Sequence, residues 1–402
     1  MNRMIAVVMA ALGALALSGC GGGATPVDWR SAGIQSPDIL DVDGQGAVTA
    51  YATVEGGVEV LRLDSSGTET SRLTADIPGV KESHRLVRAG DHYFVEGLAE
   101  NTLELFKLDD GLHQHWRYDY NLGLSESDLS QRRWKSIFTN DGAIIVAHVN
   151  GENDLEISRI ENGAETRSIF YSLEYPGKVY DAGFNGGHLY VLVSDHATPG
   201  DRLYIFNNDF SRVGSVSEDG IRDIAALSDG VLYTKAGSVV AIDRFGNRLW
   251  QVEISAAEIY EGTNIFILRN GRYFSAIDGS GNELWRNYKV EETFPLFVAG
   301  SEDGKTLLTG RNADCDTWIS FAVCKTNYRH HLLDYNGKLI RKVTEDTLEI
   351  TYHEVVIEPP ALGDPETTKE GIRSVSMTAI TPENGVISAG LHSADGIVIT
   401  RY

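Results

Sequence analysis

Residues 241–250 read AIDRFGNRLW and residues 276–285 read AIDGSGNELW, so seven of ten positions repeat at an offset of 35 residues. A phrase that recurs at this distance constrains the fold more than composition does, because periods of about 20–50 residues mark solenoids, propellers or arrays. The chemistry of the phrase is that of a hairpin. An Asp at the end of an apolar run accepts hydrogen bonds from turn amides, and a Gly takes the positive φ that closes the turn. Asp243 with Gly246, and Asp278 with Gly281, are therefore expected to be turn residues. Trp250 and Trp285 open the next strand and are expected to pack between neighbouring sheets.

Weaker copies run along the chain: LRLDSSG (61–67), FKLDDG (106–111), SRIENG (158–163), IFNNDF (205–210) and LLDYNG (332–337), with GIVITRY (396–402) similarly placed at the end. The turn glycines fall at 67, 111, 163, 246, 281 and 337, and the fourth copy has Asp209 instead. Trp116 follows Asp109 at the spacing by which Trp250 follows Asp243. Runs such as AVTAYATV (47–54), LELFKL (103–108) and AIIVAHV (143–149) are short, rich in β-branched and aromatic residues, and bounded by Gly, Asn and Asp. They read as strands, and VEVLRL (58–63) alternates as a half-buried strand does. LSESDLSQRRWK (124–135) reads as an inter-strand loop or a short turn of helix. DVDGQG (41–46) begins like a calcium loop but lacks its later acidic ligands, so it reads as a hairpin turn.

Each unit then reads as an inner strand, a turn, a second strand, a loop, a third strand, an Asp-Gly turn and a fourth strand. Four antiparallel strands repeated in this way make a propeller blade. Eight units over residues 37–402 give about 46 residues each, near the usual 40–45; seven would give about 52. The fold class expected is all-β, a single propeller of eight four-stranded blades, with seven as the alternative count. The last unit stops after its third strand. Its fourth is expected from VDWRSAG (27–33), which would close the ring and remove two sheet edges. A β-sandwich array would need longer alternation than a 35-residue unit provides.

The chain begins MNRMIAVVMAALGALALSGC. Arg3 supplies a positive start, and residues 4–17 are an apolar run too short for a comfortable bilayer crossing. The run ends in Leu17-Ser18-Gly19-Cys20, which resembles the lipobox of bacterial lipoproteins. That resemblance implies cleavage before Cys20 and diacylglycerol attachment to its sulfur, giving stable anchoring through two or three acyl chains. Gly21, where an Asp would favour inner-membrane retention in that family, implies the outer membrane, and the body is expected to face the periplasm. The organisation expected is a signal peptide (1–19), a lipidated cysteine and tether (20–36, opening GGGATP) and one propeller domain (37–402).

The formal net charge is −22. So acidic a body repels phosphate backbones, which argues against nucleic-acid partners, and leaves the lipid anchor as its only membrane contact. Beyond the cytoplasm disulfides are permitted, and Cys315 and Cys324 are expected to bridge a local hairpin. The rival, a metal site of these two with His330 and His331, is disfavoured because adjacent residues on a strand point to opposite faces.

The phrase A-I-D-x-x-G-N-x-L-W at 241–250 and 276–285 resembles the repeat of pyrroloquinoline-quinone-like (PQQ-like) propellers, with partial matches around 109–116 and 334–340. Together with the lipobox it makes the chain similar to the BamB family, the propeller lipoproteins of the outer-membrane barrel-assembly machine. The resemblance implies a monomeric, non-catalytic scaffold that docks envelope proteins. Quinone-dependent dehydrogenases of the repeat family carry a vicinal disulfide, and no two cysteines are adjacent here, so no cofactor is expected and a quinoprotein is the least favoured reading. G-x-S-x-G, H-E-x-x-H, P-loop and C-x-x-C patterns are missing from the sequence; His353-Glu354 lacks a second His, and His113 and His115 share a strand face without a third ligand. No catalytic or metal residue is expected. The alternative is a propeller that binds, or hydrolyses, a carbohydrate or small molecule with residues dispersed over the blades. Acidic and aromatic residues around the axis would favour it.

Overall fold

The computed structural model describes residues 27–31 and 38–401, with the exception of 82, 110, 125–133, 174–176, 195–200, 263–264, 292–293, 301–302, 318–320, 353–372, 385 and 393–395. Residues 1–19, expected as a signal peptide, Cys20 with 21–26, most of 124–135, and the His353-Glu354 pair lie outside the described residues; 27–31, expected within the tether, belong to the propeller instead.

The described strands form eight four-stranded antiparallel sheets. Their inner strands are, in order, Ile39–Val42, Arg85–Ala89, Trp134–Phe138, Lys178–Asn185, Asp223–Leu227, Glu258–Gly262, Phe294–Gly300 and Arg373–Ile380. Each inner strand touches the next, and the eighth returns to the first. The fold is a β-propeller of eight blades, numbered here by these inner strands.

Blades one to seven are each built from four consecutive strands. Blade eight takes its outermost strand from the other end of the chain: Val27–Ser31 pairs antiparallel with Gly396–Arg401, Val27 opposite Arg401 and Ser31 opposite Ile397. The strand expected at 27–33 thus closes the ring. Because the strands alternate in direction, one face of the ring carries the first-to-second and third-to-fourth turns. The opposite face carries the second-to-third turns and the crossings between blades. We call them the turn face and the crossing face.

The core lies between blades. Tyr190, Leu192, Leu203 and Ile205 of blade four pack with Val231, Tyr233, Val240 and Ile242 of blade five. Sandwiched on both sides, the middle strands lose their alternation: all six residues of Ile144–Val149 are buried. VEVLRL is therefore not half-buried; only Arg62 of Gly57–Leu63 is exposed. Alternation of residue type did not carry alternation of exposure, because each face of the blade meets a neighbour. Outer strands reverse the balance, with seven of eight residues of Glu69–Asp76 exposed.

The turn chemistry is as expected at the twin phrases. Asp243 Oδ1 accepts the Phe245 and Asn247 amides, each at 2.8 Å, and Gly246 has φ 90°. Asp278 Oδ1 accepts from Ser280 and Asn282 at 2.9 and 2.8 Å, and Gly281 has φ 82°. Asn247 and Asn282 each donate a side-chain bond to the second oxygen of their Asp, which explains the repeated Asn. Asp64, Asp109, Asn207 and Asp334 nucleate the same turn. So does Asp43, which makes DVDGQG a hairpin turn.

Three weaker copies differ from expectation. The left-handed position lies three residues after the Asx acceptor, so after Asp109 it falls on Leu112 (φ 62°), not on Gly111. In IFNNDF the acceptor is Asn207 rather than Asp209, and Phe210 is left-handed at φ 54°. SRIENG makes another turn altogether: Glu161 pairs with Ala164 across Asn162 and Gly163, both at positive φ, the pattern of a two-residue primed hairpin.

The tryptophans pack between blades, and against the turn glycines. A Cβ added to Gly281 would lie 2.6 Å from the Trp250 ring, and one added to Gly337 would lie 2.4 Å from that of Trp285. Gly163 stands in the same relation to Trp116, 3.1 Å from its Cβ. In each case the Trp of one blade rests on the turn Gly of the next. These glycines are needed twice, for positive φ and for room.

Blade seven departs from the pattern. Its last three strands, Thr306–Thr317, Phe321–Leu333 and Leu339–Tyr352, have 12, 13 and 14 residues, whereas strands in the other blades have four to nine. Phe294 of the inner strand already pairs with Arg311. Beyond that pair the three outer strands continue alone from the crossing face. Within this extension Cys315 stands directly opposite Cys324.

Candidate functional site at the axial ring

Inner strands in a propeller present a free backbone edge to the axis, and carboxylates occupy it here. Asp181 of blade four accepts from the Ile224 amide of blade five at 3.4 Å, and Asp223 of blade five accepts from the Ile259 amide of blade six at 2.7 Å. Asp38, just before the first inner strand, accepts from Thr53 at 2.8 and 3.0 Å and from the Leu86 amide of blade two. The pattern is shared: a carboxylate of one blade accepts an edge amide of the next. Lys135 of blade three extends the chain, its Nζ 3.2 Å from Asp181, and Glu261 of blade six reaches back to the Ala226 amide of blade five. In blades one and two Asp41 pairs with Arg88 at 2.8 Å.

Burial raises the Asp223 carboxyl to about 7, assisted by the adjacent Asp181 with which it shares a hydrogen bond. Burial also raises Glu261, with the Asp181 charge adding to it, and raises Asp38 against the pull of its donors. Two carboxyls sharing a proton at neutral pH can bind a donor or pass a proton. In this ring, however, both also hold backbone amides that fasten three blades together. Sequence reasoning missed them. The signal available was an acid within or beside a short apolar run that begins a blade: one in VYDAGF (179–184) and RDIAAL (222–227), two in EIYEGT (258–263).

Histidine–acid pairs lie elsewhere, between blades. His84 Nε2 is 3.1 Å from Glu104, and the Lys81 amide donates to its Nδ1, which fixes the Nε2–H tautomer. His148 Nε2 is 3.5 Å from Glu156. His331 Nδ1 meets the Tyr288 hydroxyl at 2.8 Å, while His330 Nδ1 meets Thr309 at 3.0 Å, so the adjacent pair does turn to separate partners. All four rings are buried, and burial lowers His148 and His331 to about 4. His148 and His331 are therefore neutral at pH 7, and all four rings are packing groups. His113 caps its own turn on Asp109. Among the described residues no group of three or more His, Cys, Asp or Glu is set to hold a metal ion.

No protein-family model and no curated protein matches the chain. Among solved structures it is similar to the WD40 domain of SCAP from fission yeast, with TM-score 0.47 and 10% identity over 94% of each chain. The Dos1 propeller gives TM-score 0.46 and 11% identity over 94% of this chain and 93% of that one. PorZ, a surface component of the type-IX secretion system of Porphyromonas gingivalis, gives 0.38 and 13% over 90% of this chain and 57% of that one. The likeness is one of fold.

Proposed function

We propose that the chain is a lipid-anchored, non-catalytic scaffold of the cell envelope that docks other proteins on its crossing face. A propeller is compatible with such a role, and fold alone does not choose among roles. The observation that carries the reading is the three-stranded extension of blade seven. Seven blades meet the needs of a closed ring with strands of four to nine residues. The extension adds roughly 20 Å of sheet at about 3.4 Å per residue, and leaves two backbone edges without a neighbour among the described strands. Exposed edges are costly to keep unless something pairs with them.

The lipobox at 17–20 and the D-x-x-G-N-x-L-W repeat support the finer version, a BamB-like part in outer-membrane protein assembly. Affinity capture of the full lipoprotein from detergent-solubilised envelopes tests it. Outer-membrane assembly proteins are expected among the partners, and are expected to be lost when residues 313–326 are replaced by a tight Asn-Gly hairpin. Recovery of the same partners with the shortened blade would remove the extension from the reading.

One observation favours the alternative of a small-molecule site: the proton-sharing Asp181–Asp223 pair beside Lys135 at the axis. Binding of a polyhydroxy ligand there would be abolished by Asp223→Asn. Titration calorimetry of both forms against an oligosaccharide panel decides it, and no heat from the unsubstituted protein would end that alternative.

A further inference from the structure

We infer that the corner of the turn face where blade eight closes is the membrane-proximal edge of the body. The blade-seven extension is thereby carried on the side away from the bilayer. This rests on the lipid-anchor reading of Cys20 and adds an orientation to it.

The argument is one of reach and register. Only GGGATP separates Cys20 from Val27. Seven residue steps span at most about 25 Å. The position of Val27 therefore fixes which part of the ring can approach the lipid. Val27 pairs with Arg401, at the end of the last strand. Arg401 marks the face independently through three loops. Its Nη1 donates to the Ser65 carbonyl at 2.6 Å, in the third-to-fourth turn of blade one. Its Nη2 is 3.3 Å from Glu383, in the first-to-second turn of blade eight. Its guanidinium also covers Gly46, in the first-to-second turn of blade one. All three loops belong to the turn face.

The extension leaves from the other face. A blade strand of seven residues is about 24 Å long and the extension adds about 20 Å, so its tip lies beyond the tether's reach. Charge sets the mode of approach. Asp43, Asp64 and Glu383 crowd the same corner. Anionic headgroups repel such carboxylates within a Debye length of about 8–10 Å. The corner is held near the surface by its tether and is not inserted.

Energy transfer tests this on the full-length, processed protein in phosphatidylcholine vesicles carrying an acceptor on a headgroup-labelled lipid. Donors go on Gln45→Cys, in the turn-face loop beside Arg401, or on Ala236→Cys, in an exposed second-to-third turn of blade five on the crossing face. A protein with no added cysteine gives the background. Intact-peptide mass spectrometry first reads the state of residue 20. A diacylglycerol adduct with at least twofold higher transfer from position 45 is the expected result. The adduct with equal transfer, or more from position 236, overturns the orientation alone. An unmodified Cys20 overturns the anchor and the orientation with it.

Discussion

The turn face and the crossing face of the ring follow different rules. On the turn face six of the seven third-to-fourth connections are one local device: an Asp or Asn whose Oδ1 accepts amides two and four residues ahead, with a left-handed residue between them. On the crossing face blade seven alone grows strands of 12 to 14 residues. Local chemistry repeats wherever the same turn must be made. The blade-seven extension is made once among the described blades, and closing the ring does not require it. Turn residues hold the blades together, and the extension is the surface that the proposed docking role would use.

The first way to break this contrast is at the blade junction. Trp285→Ala removes a ring buried against Leu308, Leu333 and the Gly337 turn of blade seven, and is expected to cost about 3–5 kcal/mol in denaturant unfolding. Gly337→Ala is expected to cost roughly 3 kcal/mol: about 1–2 for a left-handed non-glycine residue and the remainder for the clash with Trp285. Gly56→Ala isolates the first contribution. Its φ is also positive, at 84°, but nothing stands within 4 Å of its added Cβ, so about 1 kcal/mol is expected. Equal losses at 337 and 56 would mean that the Trp–Gly contact contributes nothing.

How much of this was legible follows from the same distinction. The ring, its blade count and its closing strand could be read because local turn chemistry is written in consecutive residues. Asp243, Gly246, Asp278 and Gly281 needed no tertiary information, and Trp250 and Trp285 needed only their size and spacing. The left-handed residue of that turn is Leu112 and not Gly111, because the conformation is set by distance from Asp109 and not by residue type. The axial carboxylates could not be read. Asp181 and Asp223 acquire their roles from amides about 40 residues away, and no local pattern encodes that separation. The cysteines were intermediate: their count implied a pair, and only the register places them opposite.

The axial carboxyls offer a smaller effect with a definite sign. Asp223 titrates near 7 in the fold and about 3.9 when unfolded. The folded state thus binds more protons between those values, and stability falls as pH rises through that window. Asp223→Asn is expected to flatten the fall between pH 5 and 8, seen as a gain in Tm at pH 8 relative to the unsubstituted protein. Asp181 and Tyr260 face the same group, with Lys135 and Glu261 beside Asp181, and all four remain in place. Asp278 has the opposite sign. Partial burial works against its charge, but the Asn282 side chain and three turn amides hold its carboxyl below the usual range. Its stabilisation is present above about pH 4 and is lost as pH falls through the folded value. Asp278→Ala is expected to cost about 1 kcal/mol at pH 7 and progressively less as pH falls below about 4.

The smallest global effect is expected in the extension, and it tests the other side of the contrast. Antiparallel partners stand about 4.5–5.5 Å apart at Cα, within the separation a disulfide spans, so we propose that Cys315 and Cys324 are bridged. Oxidation would pass two electrons and two protons from the thiols to a disulfide-bearing oxidant of the envelope. The bridge closes a loop of ten residues, for which the chain-entropy model gives about 2–3 kcal/mol. That energy acts on the unit that contains it. The extension has no inner strand beside it, so it can open without the ring. Cys315→Ser with Cys324→Ser is then expected to speed amide exchange at 312–327 by more than about tenfold, given 1.4 kcal/mol per decade, while leaving exchange in blades two to six unchanged. A non-reduced peptide map should show 315 linked to 324. Faster exchange across the whole ring would place the extension in its cooperative core and abolish the distinction between the two faces.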